Sequence, residues 1–274
     1  MQMVFLLTAC ISIAAVALIC IYLLGSGIPT IWKIGFSNFF GMTWKPRSGQ
    51  FGIFPMIVGS VYVTAGAILV GVPMGLLCAI YLARFCPKRI YRILKPAVEL
   101  MAGIPSIVYG FFGLMVLVPV MQRLTGVSGK TLLTASILLG VMILPTIISV
   151  AETALKAVPE GCYEGSLALG ATHERSVFAA VLPAASSGVL SGVILGVGRA
   201  IGETMAVIMI AGNQAVMPSG LLRGLRTMTA NIVLEMGYAS GLHRQALIAT
   251  GVVLFVFILL INACFSALRR RDSL

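Results

Sequence analysis

Seven stretches of this 274-residue chain contain no Asp, Glu, Lys or Arg: Met1–Ile31, Gln50–Ala83, Leu100–Gln122, Thr131–Ala151, Ser176–Gly198, Thr204–Leu222 and Gln245–Leu268. A bilayer core about 30 Å thick is crossed by roughly 20 apolar residues in a helix, and each stretch comes close to that length or exceeds it. Hydrocarbon offers the backbone no hydrogen-bond partner, so a spanning segment of this kind has to be helical. Charged residues make up only 10% of the chain and hydrophobic ones 59%, with mean hydropathy +1.06; an ordinary soluble domain has about 25% charged residues. The composition therefore specifies an all-α polytopic membrane protein.

The net charge of +11 does not point to nucleic acid, because the basic residues are scattered between apolar spans rather than gathered on one soluble face. Cys10, Cys20, Cys78, Cys86, Cys162 and Cys264 include no CxxC spacing, so neither a disulfide framework nor a zinc site is indicated. No basic region precedes the first apolar run, and Val4–Leu24 reads as a retained span rather than a cleaved leader.

The pattern predicts six spans, at about Val4–Leu24, Pro55–Tyr81, Val98–Met121, Thr131–Val150, Ser186–Ile210 and His243–Leu268. Pro105 is expected to kink the third, and Trp32 and Trp44 to sit at a membrane–water interface. The segment RFCPKRIYRILKP reads as a basic inner loop. A seven-span alternative would turn the chain at RAIGE. With six spans and the N-terminus inside, ten basic residues lie inside (Arg84, Lys88, Arg89, Arg92, Lys95, Lys156, Arg175 and Arg269 to Arg271) and eight outside. The two densest clusters then both face the cytoplasm, as the positive-inside rule favours, whereas seven spans would place the arginine tail outside. On this topology Glu235 is the single negative charge of the outer side.

Motifs for covalent chemistry are missing from the sequence. GVSGKT at 126–131 resembles the end of a phosphate-binding loop, but Leu124 stands where the first glycine is required. There is no HExxH or GxSxG, and His173 and His243 read as polar loop residues rather than ligands. In the fifth span Gly188, Gly192 and Gly196 recur every fourth residue, a spacing that lets helices approach closely.

Residues 152–185 form a connector much longer than the roughly 2–8 residues that usually join helices. Pro159 can open a helix, Tyr163, Leu167 and Ala168 give it an apolar stripe, and Gly170 permits a sharp reversal. Thr172 can cap a second short helix with Glu174 in its first turn. The expectation is a helix–Gly–helix elbow that projects from the membrane and offers an apolar tip to a soluble partner.

Two charges interrupt the apolar run: Arg199 and Glu203, within GVGRAIGETMAV, are the only ones from Ser176 to Leu222. A charge at the bilayer centre costs about 2.5–3.5 kcal/mol even on mild insertion scales, so such residues commonly mark a pathway. Four residues apart on one helix they would share a face, though with Arg first, the weaker order for helix stabilisation. A guanidinium also presents a fork that matches a tetrahedral oxyanion. Glu99, at the inner end of span three, is a lesser candidate and reads more simply as a snorkelling interfacial carboxylate.

The connector resembles the EAA loop of ABC importer permeases. Glu164, Gly165 and Ser166 stand at the EAA positions, Gly170 follows at the family spacing, and Leu182 and Pro183 end the motif. MAGIPSIVYGFFG, GRAIGETMAV and LLRGLRTMTANIVLEMG are similar to the phosphate-specific permeases, of the PstC type rather than its PstA partner, from about Phe51 to Leu268. The resemblance implies a type I ABC importer permease (MetI-like) architecture in a bacterial cytoplasmic (inner) membrane. Residues 1–50 would hold the first span and an external segment, and residues 51–274 the permease domain, with its coupling loop at about 155–185. It further implies that Arg199 and Glu203 serve translocation and that Glu164, Gly165, Ser166, Gly170, Leu182 and Pro183 form the ATPase coupling loop. The implied partners are a second, PstA-like permease, a PstB-like ATPase dimer, a PstS-like extracytoplasmic phosphate-binding protein and membrane lipid, with no nucleic acid. ATP and Mg would be bound by the ATPase, leaving this chain without a cofactor and without enzyme activity. The alternatives are the same architecture carrying molybdate or sulfate, an autonomous anion channel or secondary transporter, and, with least support, an intramembrane hydrolase.

Overall fold

The computed structural model describes residues 1–271. The side chains of Arg269, Arg270 and Arg271, counted above as an inner cluster, lie outside the described residues. In chain order, α1 (Gln2–Ile34) leads through α2 (Phe36–Phe39) to a hairpin of β1 (Trp44–Lys45) and β2 (Gln50–Phe51). Then come α3 (Phe54–Ile80), extended by a wide π turn over Tyr81–Phe85, and α4 (Lys88–Gly103). The next span combines α5 (Ser106–Phe112), a second π turn and α6 (Val118–Thr125), and α7 (Leu132–Lys156) follows. The connector holds α8 (Glu160–Ala168), α9 (His173–Ser176) and α10 (Leu182–Ala184). The chain then continues through α11 (Ser186–Gly202), α12 (Met205–Ile210), α13 (Met228–Met236) and α14 (Gly241–Arg271).

Five helical segments are each long and apolar enough to cross a membrane, namely α1, α3 with its π turn, Ser106–Thr125, α7 and Gly241–Cys264. A sixth crossing is available if His173–Ala184 and Ser186–Gly202, bent by 73° at their junction, count as one span. Five of the six expected spans are thus present and the fifth in chain order is the bent pair, with two changes of boundary. Val98–Met121 is not one kinked helix. Residues Lys88–Gly103 form a separate amphipathic helix, and Ile104 (ψ 126°) and Pro105 (ψ 141°) are extended between it and α5. The proline ring clashes with a helical conformation at the residue before it, which is enough to break the helix there. Tyr109 then donates from its hydroxyl to the Met101 carbonyl across the break (2.8 Å). The basic segment read as a loop is therefore mostly helical. Similarly, the fifth span stops at Gly202 instead of running to Ile210.

The packing is organised about α7. Of the most apolar part of α7, 61% is buried within the chain, against none of the most apolar part of α1, whose C-terminal end alone packs on α14 around Gly27. Glycines set the approach on both flanks of α7. A Cβ on Gly71 of α3 would lie 2.7 Å from the Gly140 carbonyl oxygen, and one on Gly196 of α11 would lie 2.7 Å from Ile147. Gly192 is nearly as tight, with its Cβ position 3.2 Å from that of Val150. Close approach of this kind replaces the hydrophobic driving force that lipid removes. The four-residue glycine repeat of the sequence is the seam along which α11 lies on α7.

The outer ends are tied by a polar knot. Glu235 of α13, 7% exposed, accepts from Arg226 Nη1 (2.6 Å) and from Trp44 Nε1 (2.9 Å), and His243 Nε2 lies 2.8 Å from it. Arg226 also donates to Asn231 (3.0 Å) and to the Asn213 carbonyl (3.0 Å). Trp44 is accordingly buried at 7% exposure, contrary to its expected interfacial position, because its indole N–H has an internal acceptor; Trp32 is 82% exposed, as expected.

Gly71→Val should lower the thermal stability of the purified chain, because the new methyls meet a backbone carbonyl that cannot move aside, an overpacking cost of about 1–3 kcal/mol. Gly237→Ala, with nothing within 4 Å of its Cβ position, should leave the same melting curve unchanged. Glu235→Gln leaves Arg226 without a carboxylate and should destabilise the outer segment by about 3–5 kcal/mol. In a Trp32→Phe background, Trp44 emission should shift to the red at a lower temperature than in the parent.

Candidate functional site

The connector folds as the elbow expected from its sequence. Pro159 is extended (φ −54°, ψ 134°) and α8 begins immediately after it. At the far end the Gly170 N–H donates to the Leu167 carbonyl (2.9 Å) and the Ala171 N–H to the Ser166 carbonyl (3.2 Å), the paired bonds of a Schellman cap. That cap requires a left-handed residue, and Gly170 supplies it with φ 84°; no atom crowds its Cβ position, so the dihedral alone explains the glycine. Two of the EAA-position residues thereby build the turn, since Ser166 caps it and the Gly165 carbonyl accepts from Leu169 N (3.2 Å). The Thr172 side chain accepts from Arg175 N (3.3 Å) and caps α9, with Glu174 in the first turn.

The elbow's tip is apolar and open. Leu169 is 91% exposed and Leu167 38% exposed, and Glu164 is likewise exposed. Its base is the opposite: Val158, Val177, Val181 and Ala185 are buried against Leu155 of α7 and Ile80 of α3. Leu182 is half-buried and Pro183 exposed, just before the 73° bend into α11. A bent helix with a packed base and a bare tip is suited to receive a soluble partner and pass its displacement into α11.

At the opposite end of α11, Arg199 and Glu203 are both half-buried, and the structure does not pair them. Arg199 Nη1 donates to Thr146 Oγ1 of α7 (3.2 Å). Glu203 lies beyond the helix end with extended ψ of 132°, and its Oε1 accepts from the N–H of Ala206 (3.1 Å) in the first turn of α12. Its own carbonyl accepts from Thr229 Oγ1 of α13 (3.0 Å). The expectation of a shared helical face fails because it presumed one continuous helix through residue 203. Glu203 and Thr204 are instead the junction of two helices, and the carboxylate serves free N–H groups that the break exposes.

Glu99 does not join this site. It lies on α4, its side chain 61% exposed, with Lys95 Nζ 3.7 Å away. Among the described residues no hydrogen bond or ion pair links it to Arg199 or Glu203. Lys95 is committed instead to Glu152, a carboxylate 2% exposed that the sequence reading passed over. Glu152 also accepts from Tyr91 (2.7 Å) and Lys156 (2.7 Å), pinning α4 to the inner end of α7. Only the i,i+4 spacing of Glu152 and Lys156 could have signalled it.

These groups perform no covalent chemistry together. Arg199 presents guanidinium donors beside α7, and the elbow presents an exposed apolar surface. The family described as binding-protein-dependent transport system inner membrane component matches residues 71–271. The probable ABC transporter permease protein YqgH of Bacillus subtilis (strain 168) is 38% identical over 94% of this chain and 88% of that protein. The phosphate transport system permease protein PstC of Mesorhizobium japonicum is 37% identical over 84% of this chain and 76% of its own length. In fold, the chain is similar to a subunit of an inward-facing MetNI methionine ABC transporter (TM-score 0.66, 20% identity, 84% of this chain and 99% of that one). A chain of a bacterial alginate ABC transporter aligns over 98% of this chain and 96% of its own, with TM-score 0.68 and 17% identity. With its bent spans, its elbow and a family match over most of its length, the chain belongs to the inner membrane components of binding-protein-dependent transport systems.

Proposed function

We propose that this chain is a permease subunit of an ATP-driven importer that carries inorganic phosphate across the cytoplasmic membrane by alternating access. The observation that carries the reading is an elbow with an open apolar tip and a half-buried intramembrane arginine, placed at the two ends of one helix, α11. The choice of phosphate is supported by the likeness to permeases named for phosphate transport. ATP hydrolysis belongs to a separate subunit, and a PstB-like ATPase dimer with its ATP and Mg docks on the tip around Leu167 and Leu169. A PstA-like permease pairs with this chain, and a PstS-like binding protein delivers phosphate from outside.

Arg199 is held by a neutral hydroxyl, and among the described residues its other donors make no hydrogen bond, which leaves them to take an oxyanion in a forked grip. Glu203, four residues on, is held by a backbone N–H. In this reading the two form a gate that exchanges partners: the carboxylate can displace the anion from Arg199 once the α11–α12 junction moves. Glu203→Gln keeps an acceptor for the Ala206 N–H and so removes the charge without removing the cap.

Radiolabelled phosphate uptake should be restored by the wild-type gene in cells lacking this chain. Arg199→Gln and Glu203→Gln should assemble with the ATPase and yet reduce uptake by at least about tenfold, equivalent to roughly 1.4 kcal/mol in the transport barrier. Normal uptake by both variants would make the two residues structural. If wild type restores molybdate or sulfate uptake and not phosphate, the substrate is the other oxyanion. Leu169→Asp should reduce ATPase co-purification, which a channel or secondary transporter would not show.

A further inference from the structure

The inner end of α3 grips the elbow through a residue that neither the coupling-loop motif nor the transport pair includes. The π turn at Tyr81–Phe85, closed by Cys86 N–H donating to the Tyr81 carbonyl (2.8 Å), carries Arg84 and Phe85 at the elbow's base. The Arg84 side chain is 11% exposed and its guanidinium spans a corner of the fold. Nη2 donates to the Leu155 carbonyl in the last turn of α7 (3.1 Å), and Nη1 donates to the carboxylate of Glu160, the first residue of α8 (3.0 and 3.4 Å). A helix C-terminus leaves carbonyls without partners and carries partial negative charge, so a cation there is doubly favoured. The guanidinium also lies 5.8 Å from the centre of the Tyr163 ring. The Tyr163 hydroxyl bonds to His173 Nδ1 (2.7 Å), and the His173 ring meets Phe85 edge-on at 4.6 Å. Both arms of the elbow, α8 through Glu160 and Tyr163 and α9 through His173, are therefore fastened to α3.

The outer end of α3 is fastened as well. Ser60 Oγ accepts from Met228 N (3.0 Å), and Gly59 lies against the Arg226 carbonyl, at the root of the knot that holds Glu235, Trp44 and His243. Between these anchors, from Gly59 to Arg84, α3 and its π turn are one stretch of about 37 Å at 1.5 Å per residue. It is a rod that crosses the membrane with the elbow on one end and the outer knot on the other.

We propose that Arg84 is a positioning residue that couples the elbow to α3, so that displacement of the elbow by the ATPase reaches the outer knot without passing through the Arg199 site. By linkage the same contact carries the reverse signal, from a loaded binding protein outside to the ATPase inside. The proposal rests on the reading of the elbow as the ATPase docking site.

The test uses the complete transporter in proteoliposomes, with ATP hydrolysis and radiolabelled phosphate uptake measured on the same preparation. Arg84→Gln should leave hydrolysis without binding protein within about twofold of wild type. Its stimulation by phosphate-loaded binding protein, and the phosphate carried per ATP, should each fall by about tenfold, a size typical of coupling between sites. Arg84→Lys keeps the charge but cannot reach both Glu160 and Leu155, and should be intermediate. Glu160→Gln removes an exposed carboxylate from the elbow surface and should show the same split as Arg84→Gln in milder form. If uptake and hydrolysis fall in parallel, or if Glu160→Gln keeps a wild-type ratio, Arg84 only stabilises the corner and the proposal is overturned. Loss of ATPase from the wild-type complex on Leu169→Asp is scored separately, so a failure of the docking reading is not confused with a failure of Arg84.

Discussion

Everything in this fold depends on how closely two helices can come to α7. Lipid removes the hydrophobic gain that drives soluble cores together, so association rests on contact distance and on the hydrogen bonds made across it. The chain meets that constraint with glycine at the points of closest approach, Gly71 and Gly140 on one flank and Gly192 and Gly196 on the other. Once α3 and α11 are drawn onto α7, their inner ends converge beside the elbow and their outer ends beside α13. The base of the elbow is well packed because α3 and α7 end together beneath it, with Ile80 and Leu155 buried in one cluster with the elbow's own Val181.

Charge is distributed to suit this packing. Ionised groups that the fold has buried are gathered into closed sets at the two membrane boundaries. Glu152 has three donors at the inner boundary and Glu235 has three contacts at the outer one. Each set satisfies its carboxylate fully, which is the condition for a buried charge to be tolerated. Each also joins segments distant in sequence, α4 to α7 and the β hairpin to α13. Arg199 stands apart from both arrangements. It is half-buried on a central helix and its partner is a hydroxyl rather than a carboxylate.

What could be read in advance divides along the same line. The spans were legible because length and lack of charge are local properties. The elbow was legible to single residues, because Pro159, Gly170 and Thr172 act on the backbone within a turn of themselves. Glu235 and Glu152 were not legible as hubs, since their partners Trp44 and Tyr91 lie 191 and 61 residues away. The expected approach of Arg199 to Glu203 failed for a different reason. Helical spacing presupposes an unbroken helix, and the break at Glu203 is stabilised from α13 through Thr229, which no local pattern reports. A weaker signal was present, since a carboxylate three residues ahead of Ala206 can reach its N–H across a helix start.

The neutral partner of Arg199 bears on how a transporter can release what it binds. An arginine locked to a carboxylate in a dry interior would have to give up a strong charge-assisted bond before it could take an anion, and an anion held by an unopposed arginine would have no competitor to remove it. The structure shows neither extreme, because Arg199 is bonded to a hydroxyl and Glu203 to a backbone N–H. Each of these is a modest bond, worth about 0.5–1.5 kcal/mol net or somewhat more when one member is charged. Either can be exchanged without a large barrier. In the proposed gate the carboxylate is the displacing group, and the α11–α12 junction is the element whose geometry decides when displacement happens. The break in the helix at that point takes the two charges off one continuous helical turn, so that each has its own partner in this structure.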